Sequence, residues 1–110
     1  MMLGTEIPRY PLINEKVAPA ISVAFTVATP PGYSAVTVTA HGLSVGESIP
    51  VEIKSASGVW GEASSYDPNT SSDRPVAMTF GANTITINGL GVYRVNKGVT
   101  SKPASVTLYR

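Results

Sequence analysis

The side chains that could carry out acid–base or nucleophilic chemistry are few in this chain and widely spaced. It has one histidine, His41, and no cysteine. A histidine that acts as a general base needs a nucleophile and an orienting partner within reach, and the spacing identifies neither for His41. Because Gly42 follows it, we interpret His41 as a turn residue and expect that the protein is not an enzyme.

The carboxylates do not form a pair that would suit glycoside hydrolysis. Glu47 and Glu52 are five residues apart, so alternation along a strand would place them on opposite faces of a sheet. The seven carboxylates are Glu6, Glu15, Glu47, Glu52, Glu62, Asp67 and Asp73. No two of them can be assigned the roles of general acid and nucleophile.

One segment has the beginning of a calcium-binding pattern. Oxygen-bearing side chains fall at alternate positions from Asp67 to Asp73, as in the first half of a calcium loop. The sixth position of such a loop requires glycine and the twelfth glutamate, but these positions hold Ser72 and Met78. We therefore expect no metal site, and interpret residues 64–75, rich in Ser, Asp, Asn and Pro, as a long exposed loop.

Two aromatic residues lie beside this predicted loop. Trp60 is followed by a glycine in a weakly patterned segment, and Tyr66 comes six residues later. Aromatic side chains at the junction of a sheet and a loop can form a sugar-stacking platform or the centre of a protein interface. The alternative is that Trp60 closes one end of the core. Trp60 and Tyr66 are candidate partner-binding residues.

The elements that must position these residues are β-strands. The longest run without glycine or proline is residues 20–29, too short and too rich in β-branched residues for a stable helix. Apolar residues recur there at every second position, as they do in six further segments and, more weakly, in residues 58–63. The alternating residues are Ile21, Val23, Phe25 and Val27; Val36 and Val38; Ile49, Val51 and Ile53; Val76, Met78 and Phe80; Ile85 and Ile87; Tyr93 and Val95; and Val106 and Leu108.

Eight short strands separated by turn residues predict an all-β fold, an antiparallel β-sandwich of jelly-roll or immunoglobulin-like type. Pro50 cannot donate a ladder hydrogen bond, so its strand is expected to be an edge strand or to start there. A chain of 110 residues fits one domain, and we assign residues 20–110 to it.

The first 19 residues do not follow the sandwich pattern. Three prolines, Pro8, Pro11 and Pro19, exclude a helix, yet the segment is too apolar for a solvated tail. We interpret residues 1–19 as an extended N-terminal arm that packs on another surface. Its candidate partner-binding residues are Ile7, Tyr10, Leu12 and Ile13.

The composition limits the kinds of partner that the protein is expected to bind. Charged residues make up 14% of the chain, against about 25% in an average soluble domain, and the formal net charge is +1 with no run of either sign. We therefore expect no binding to nucleic acid or to a membrane. No stretch approaches the roughly 20 apolar residues of a membrane span, and the N-terminus lacks the features of a signal peptide, so synthesis in a cytoplasm is expected. No motif indicates a cofactor.

The hairpin-like segment 82–97, Ala-Asn-Thr-Ile-Thr-Ile-Asn-Gly-Leu-Gly-Val-Tyr-Arg-Val-Asn-Lys, with Gly58-Val59-Trp60 upstream, resembles segments of small structural proteins of tailed bacteriophages. In size and style the chain is most similar to capsid decoration, or cement, proteins. The resemblance implies a sandwich without catalytic residues that binds the outside of an assembled capsid and stabilises it. Its partner would be the major capsid protein lattice, and its location the capsid surface of the virion.

A shell presents many identical sites around symmetry axes, so we also expect a homo-oligomer, a dimer first and a trimer second. An alternative function comes from a different class of protein. In a receptor- or glycan-binding module of a phage tail or fibre, Trp60, Tyr66 and the loop 64–75 would form the site.

Overall fold

The computed structural model describes residues 9–28, 35–67 and 71–110. These residues form twelve strands, and none of them lies in a helix that could cross a membrane. The strands are β1 (Arg9–Lys16), β2 (Ala20–Ile21), β3 (Phe25–Val27), β4 (Val36–His41), β5 (Ser48–Lys54), β6 (Trp60–Glu62), β7 (Ser64–Asp67), β8 (Ser72–Pro75), β9 (Ala77–Thr79), β10 (Thr84–Ile87), β11 (Gly91–Lys97) and β12 (Ala104–Tyr109).

Two antiparallel sheets enclose one core. The first has the order β1-β12-β4-β10. In the second, β11 and β5 are central, β2 and β3 pair with the outer side of β11, and β6 and β9 pair with β5. The predicted all-β antiparallel sandwich is therefore confirmed, while its jelly-roll or immunoglobulin-like type stays a prediction.

The core consists of the alternating rows that the sequence shows. In β4 and β12 every second residue is buried, and the intervening Thr and Ser side chains point away from the core. The second sheet buries its own rows against them. The fully or almost fully buried residues include Val36, Val38, Ala40, Ala104, Val106 and Leu108 of the first sheet and Phe25, Val27, Ile49, Val51, Met78, Tyr93 and Val95 of the second.

Residues 9–16 of the predicted N-terminal arm are extended and lie within the sandwich. They form β1 at the edge of the first sheet and pair with β12. Ile13 lies opposite Val106 and is only 4% exposed, so it belongs to the core. The surface on which this part of the arm packs is therefore the protein's own last strand, and no domain boundary separates β1 from the sandwich.

The strand predicted over residues 20–29 is broken by a β-bulge. Ile21 pairs with Asn96 and Phe25 with Tyr93, which leaves three residues on one strand opposite two on the other. An extra residue reverses which side chains face the core. Phe25 is therefore buried as predicted, whereas Ile21 and Val23 are exposed, contrary to the alternation.

The expectation for Pro50 was wrong in part, because β5 is a central strand of the second sheet. Val51 donates its N–H to Val76 O and accepts from Ala63 N, both on the β6 and β9 side. Backbone groups alternate in direction along a strand, so the ring nitrogen of Pro50 points to the β11 side. Pairing with β11 extends only as far as Val51, so no ladder hydrogen bond is lost at Pro50.

Residues 64–75 were predicted to be a loop, and that prediction was wrong. β7 and β8 form an antiparallel hairpin, in which Ser64 pairs with Pro75 at one end and Asp67 pairs with Ser72 at the other. Ala63 and Val76 stand at its base, where Val76 N donates to Ala63 O at 2.9 Å. The hairpin leaves the second sheet at this point. With β1, the division of β2 from β3, and this hairpin, the expected eight strands become twelve.

Candidate functional site

The outer face of the second sheet carries a cluster of aromatic and charged side chains on three adjacent strands. β5 contributes Glu52 and Lys54, β11 contributes Arg94 and Asn96, and β6 contributes Trp60. Lys54 pairs with Trp60 and Glu52 with Arg94, and residues paired across antiparallel strands present their side chains on the same face. We call these five residues the Trp60 face.

Glu52 is the anchor of the Trp60 face. Its carboxylate accepts a hydrogen bond from Arg94 Nε at 2.7 Å and another from Asn96 Nδ2 at 3.1 Å. These hydrogen bonds, that from Arg94 above all, hold the pKa of Glu52 below its ordinary value of 4.5. Arg94 is therefore paired across strands with Glu52.

Trp60 packs against the guanidinium group of Arg94, which Glu52 holds in place. The guanidinium carbon of Arg94 lies over the indole, 4.3 Å from the ring centroid, and Lys54 Nζ lies 6.0 Å from it. Trp60 is half-buried on the outer face of the sheet. Trp60 therefore does not close one end of the core, while its role in partner binding stays a prediction.

The Trp60 face has the properties of a preformed contact surface. A guanidinium over an indole gains electrostatic energy from the ring quadrupole, and Glu52 fixes its position. Trp and Arg are also the side chains that contribute most often to the centre of protein interfaces. Because the charge of Arg94 is already paired with Glu52, a partner that covers this surface would not bury Arg94 as an unpaired charge.

The other candidate partner-binding residues do not join Trp60 in one site. Tyr10 is 42% exposed on β1, and its ring lies 5.4 Å from the guanidinium carbon of Arg110. Leu12, also on β1, is half-buried against the core. β1 and β6 lie at opposite edges of different sheets, so Tyr10 and Trp60 face different surroundings. Ile13 is a core residue and is not accessible to a partner.

Two candidates cannot be placed with the rest. Ile7 lies outside the described residues. Tyr66 is in β7 with its backbone opposite Asp73, but its side chain is outside the description. The same is true of the side chains of Asp67 and Asp73 and of residues 68–70, on which the calcium pattern depends. Both the Tyr66 contact and the absence of calcium stay predictions.

One sequence motif bears on the expectation that the protein is not an enzyme. Gly42-Leu43-Ser44-Val45-Gly46 has the spacing of the Gly-x-Ser-x-Gly turn that carries the nucleophile in many hydrolases. That turn joins a strand to a helix, whereas this segment joins β4 to β5. Ser44 Oγ is hydrogen-bonded to Ser101 Oγ at 2.8 Å. The structural context of a nucleophile turn is therefore not present here.

A buried lysine was not predicted from the sequence. Lys97 is fully buried, and its Nζ donates to the carbonyl oxygens of Val17, Ala18 and Gly98 at 2.9–3.1 Å. Burial lowers the pKa of Lys97. The signal was available, because Lys97 continues the inward-facing row of Tyr93 and Val95 on β11. This ammonium ties the end of β1 to the second sheet.

Comparison with known proteins adds no family to these observations. No family model matches the chain, and no curated protein or solved structure shows significant similarity to it. Within residues 9–28, 35–67 and 71–110, no three His, Asp or Glu side chains lie together as metal ligands would. A function is therefore inferred from the Trp60 face itself.

Proposed function

We propose that this chain is a non-enzymatic structural protein of a tailed-phage virion that binds the outside of the assembled capsid and stabilises it. The observation that carries the proposal is the Trp60–Arg94 contact, fixed by Glu52 on the outer face of the second sheet. Such a surface suits contact with another folded protein, and the resemblance to decoration proteins indicates which kind. The partner in this proposal is the major capsid protein lattice.

A rigid contact surface favours binding to a shell. Association normally loses the rotamer freedom of each side chain that becomes ordered at the interface. Arg94 and Trp60 are already held in the free protein, so this cost is reduced. The sheet beneath them is anchored by core residues such as Val51 and Val95, which are fully buried.

A capsid multiplies weak contacts. An oligomer that bridges neighbouring lattice sites gains avidity from each additional contact, provided that its geometry allows simultaneous binding. The proposal therefore includes a homo-oligomer, a dimer first, that is made in the host cytoplasm and located on the virion capsid surface. Its sandwich would be of the jelly-roll or immunoglobulin-like type.

Co-sedimentation tests the proposal. Capsids assembled without this chain are mixed with the purified protein, pelleted, and the bound fraction is measured over a range of concentrations. We expect wild type to pellet with the capsids and Trp60→Ala to bind at least about tenfold more weakly, a loss of about 1.4 kcal/mol. Val59→Ala is the matched control, because Val59 is an exposed neighbour outside the Trp60 face. Wild-type protein that stays in the supernatant would count against the proposal.

In this proposal the N-terminal arm contributes to the contact through Tyr10. Tyr10 is the most exposed of the three described candidates in the arm, Tyr10, Leu12 and Ile13. Tyr10→Ala should weaken capsid binding while leaving the melting temperature within a few degrees of wild type, since the side chain lies largely outside the core. Equal loss of binding and stability would remove Tyr10 from the contact.

The alternative proposal is a receptor- or glycan-binding module of a phage tail or fibre. It is favoured by the position of Trp60 on β6, next to the hairpin β7–β8 that carries Tyr66. Trp and Tyr combine a flat apolar ring with a polar group, which suits stacking against a sugar. Retention on a glycan array, lost in Trp60→Ala, together with no capsid co-sedimentation, would favour this function.

A further inference from the structure

The last strand of the first sheet, β10, has one side free of any described strand. Asn83 O accepts from Ala40 N at 2.8 Å, so the backbone of Asn83 faces β4. Because direction alternates along an antiparallel strand, Ile85 also faces β4. The N–H and C=O groups of Thr84 and Thr86 must then point away from the sheet.

Three other edge strands, β1, β6 and β2, have features that protect an edge and that β10 lacks. β1 contains Pro11 and two register shifts, β6 contains Gly61 and Glu62, and β2 is separated from β3 by the bulge. Charges, prolines and bulges are the devices by which natural sheets prevent edge-to-edge pairing. β10 reads Thr-Ile-Thr-Ile and pairs with β4 in unbroken register. β10 therefore has none of these devices and can accept another strand.

We propose that β10 pairs antiparallel with β10 of a second copy of this chain, across a twofold axis at Ile85. In this register Thr84 lies opposite Thr86 of the second copy, and Thr86 opposite its Thr84. The free N–H and C=O groups of Thr84 and Thr86 in the two copies then form four interchain hydrogen bonds. The inference names the surface of the homo-oligomer in the proposed function, but its geometry does not depend on capsid binding.

The composition of the strand favours a second copy as the occupant. β10 has no charged side chain, so two copies meet without repulsion. Thr–Thr and Ile–Ile are favourable cross-strand pairs, and this register places threonines on the outer face and isoleucines on the core side in both copies. A register centred on Thr86 would instead place Thr84 opposite Asn88, which lies beyond the strand.

The oligomeric state of the full chain tests the interface. Light scattering after size-exclusion chromatography, over a hundredfold range of concentration, should show a dimer for wild type. Thr84→Lys/Thr86→Lys places lysines directly opposite lysines across the axis and should raise the dimer dissociation constant at least tenfold. Thr37→Lys/Thr39→Lys is the matched control, since these threonines share the outer face but lie on the interior strand β4. Melting curves verify that each variant is folded.

A wild-type monomer at every concentration would overturn the proposal, as would a dimer that persists in Thr84→Lys/Thr86→Lys or is lost equally in the control. These measurements need no capsid, so their failure is distinguishable from failure of capsid binding.

Cysteine cross-linking tests the register. The chain has no cysteine, so each substitution introduces one thiol. On the proposed axis Ile85 lies opposite Ile85 of the second copy, and this pair has no hydrogen bonds between the chains. Residues paired in this way are closely spaced, which suits a disulfide. Mild oxidation should link Ile85→Cys into a dimer and leave Thr86→Cys mostly unlinked. The reverse pattern would overturn the proposed register.

Discussion

Arg94 lies between Glu52 and Trp60 and contacts both: its Nε is 2.7 Å from Glu52 Oε1, and its guanidinium carbon is 4.3 Å from the centroid of the indole. The three residues belong to three different strands, β11, β5 and β6. The position of the indole is therefore fixed by the register of the second sheet, and a change at any of the three residues should alter the other two.

Removal of Arg94 should release Trp60. Trp60 is the only tryptophan, so intrinsic fluorescence reports on it alone. We expect Arg94→Ala to increase quenching by acrylamide and to destabilise the protein by about 0.5–1 kcal/mol, the range of a partly exposed cation–π contact. Lys54→Ala is the control and should change quenching less, because its Nζ is 6.0 Å from the ring centroid. Equal quenching in wild type and Arg94→Ala would show that the contact does not form in solution.

Acid should weaken the protein partly through Glu52. Its pKa is lowered by the hydrogen bonds from Arg94 and Asn96, so the stability that it contributes is present above its ordinary pKa of 4.5 and is lost as pH falls through the lower folded value. Urea unfolding at several pH values below 5 should show a shallower loss of stability in Glu52→Gln than in wild type. Identical pH slopes would mean that the carboxylate is not held as described.

Ser22 should stabilise the bulge between β2 and β3. Its Oγ accepts from Val95 N at 2.9 Å in a buried position, so Ser22→Ala leaves that N–H unpaired and should cost about 1–3 kcal/mol. Ser105 of β12 likewise accepts from Glu15 N of β1, but this hydrogen bond is exposed. Water can replace the hydroxyl there, and Ser105→Ala should cost less. Chemical denaturation measures both, and equal losses would contradict the role of burial.

Lys97 should be needed for stability although it is charged. Lys97→Met keeps much of the side-chain volume but leaves buried carbonyls without their donor, and we expect a loss of about 1–3 kcal/mol. Lys102→Met, at an exposed position, should change stability by less than about 0.5 kcal/mol. If Lys97→Met unfolds at the same urea concentration as wild type, the three hydrogen bonds do not contribute net stability.

The sequence was sufficient to predict the sandwich where apolar residues alternate without interruption. β4 is an example, because Val36 and Val38 face the core as expected. It was insufficient at the bulge after Ile21, since a single extra residue reverses the pattern without changing composition. The hairpin β7–β8 was also missed, because strands that leave the core need no apolar row.

The candidate site was predictable only in part. Trp60 was identified by its residue type and its position beside a turn. Its contact with Arg94 depends on how β6, β5 and β11 align, and periodicity within one segment carries no information about that register. Ile13 was apolar and near prolines, which equally fits an arm that binds a partner and an edge strand that covers its own core.

Electron cryo-microscopy of capsids saturated with the protein tests the central claim most directly. The proposed function predicts added density on the outer surface of the shell, at sites related by its symmetry, with the Trp60 face towards the major capsid protein. Capsids without added density, or density in which the Trp60 face is directed to solvent, would contradict it.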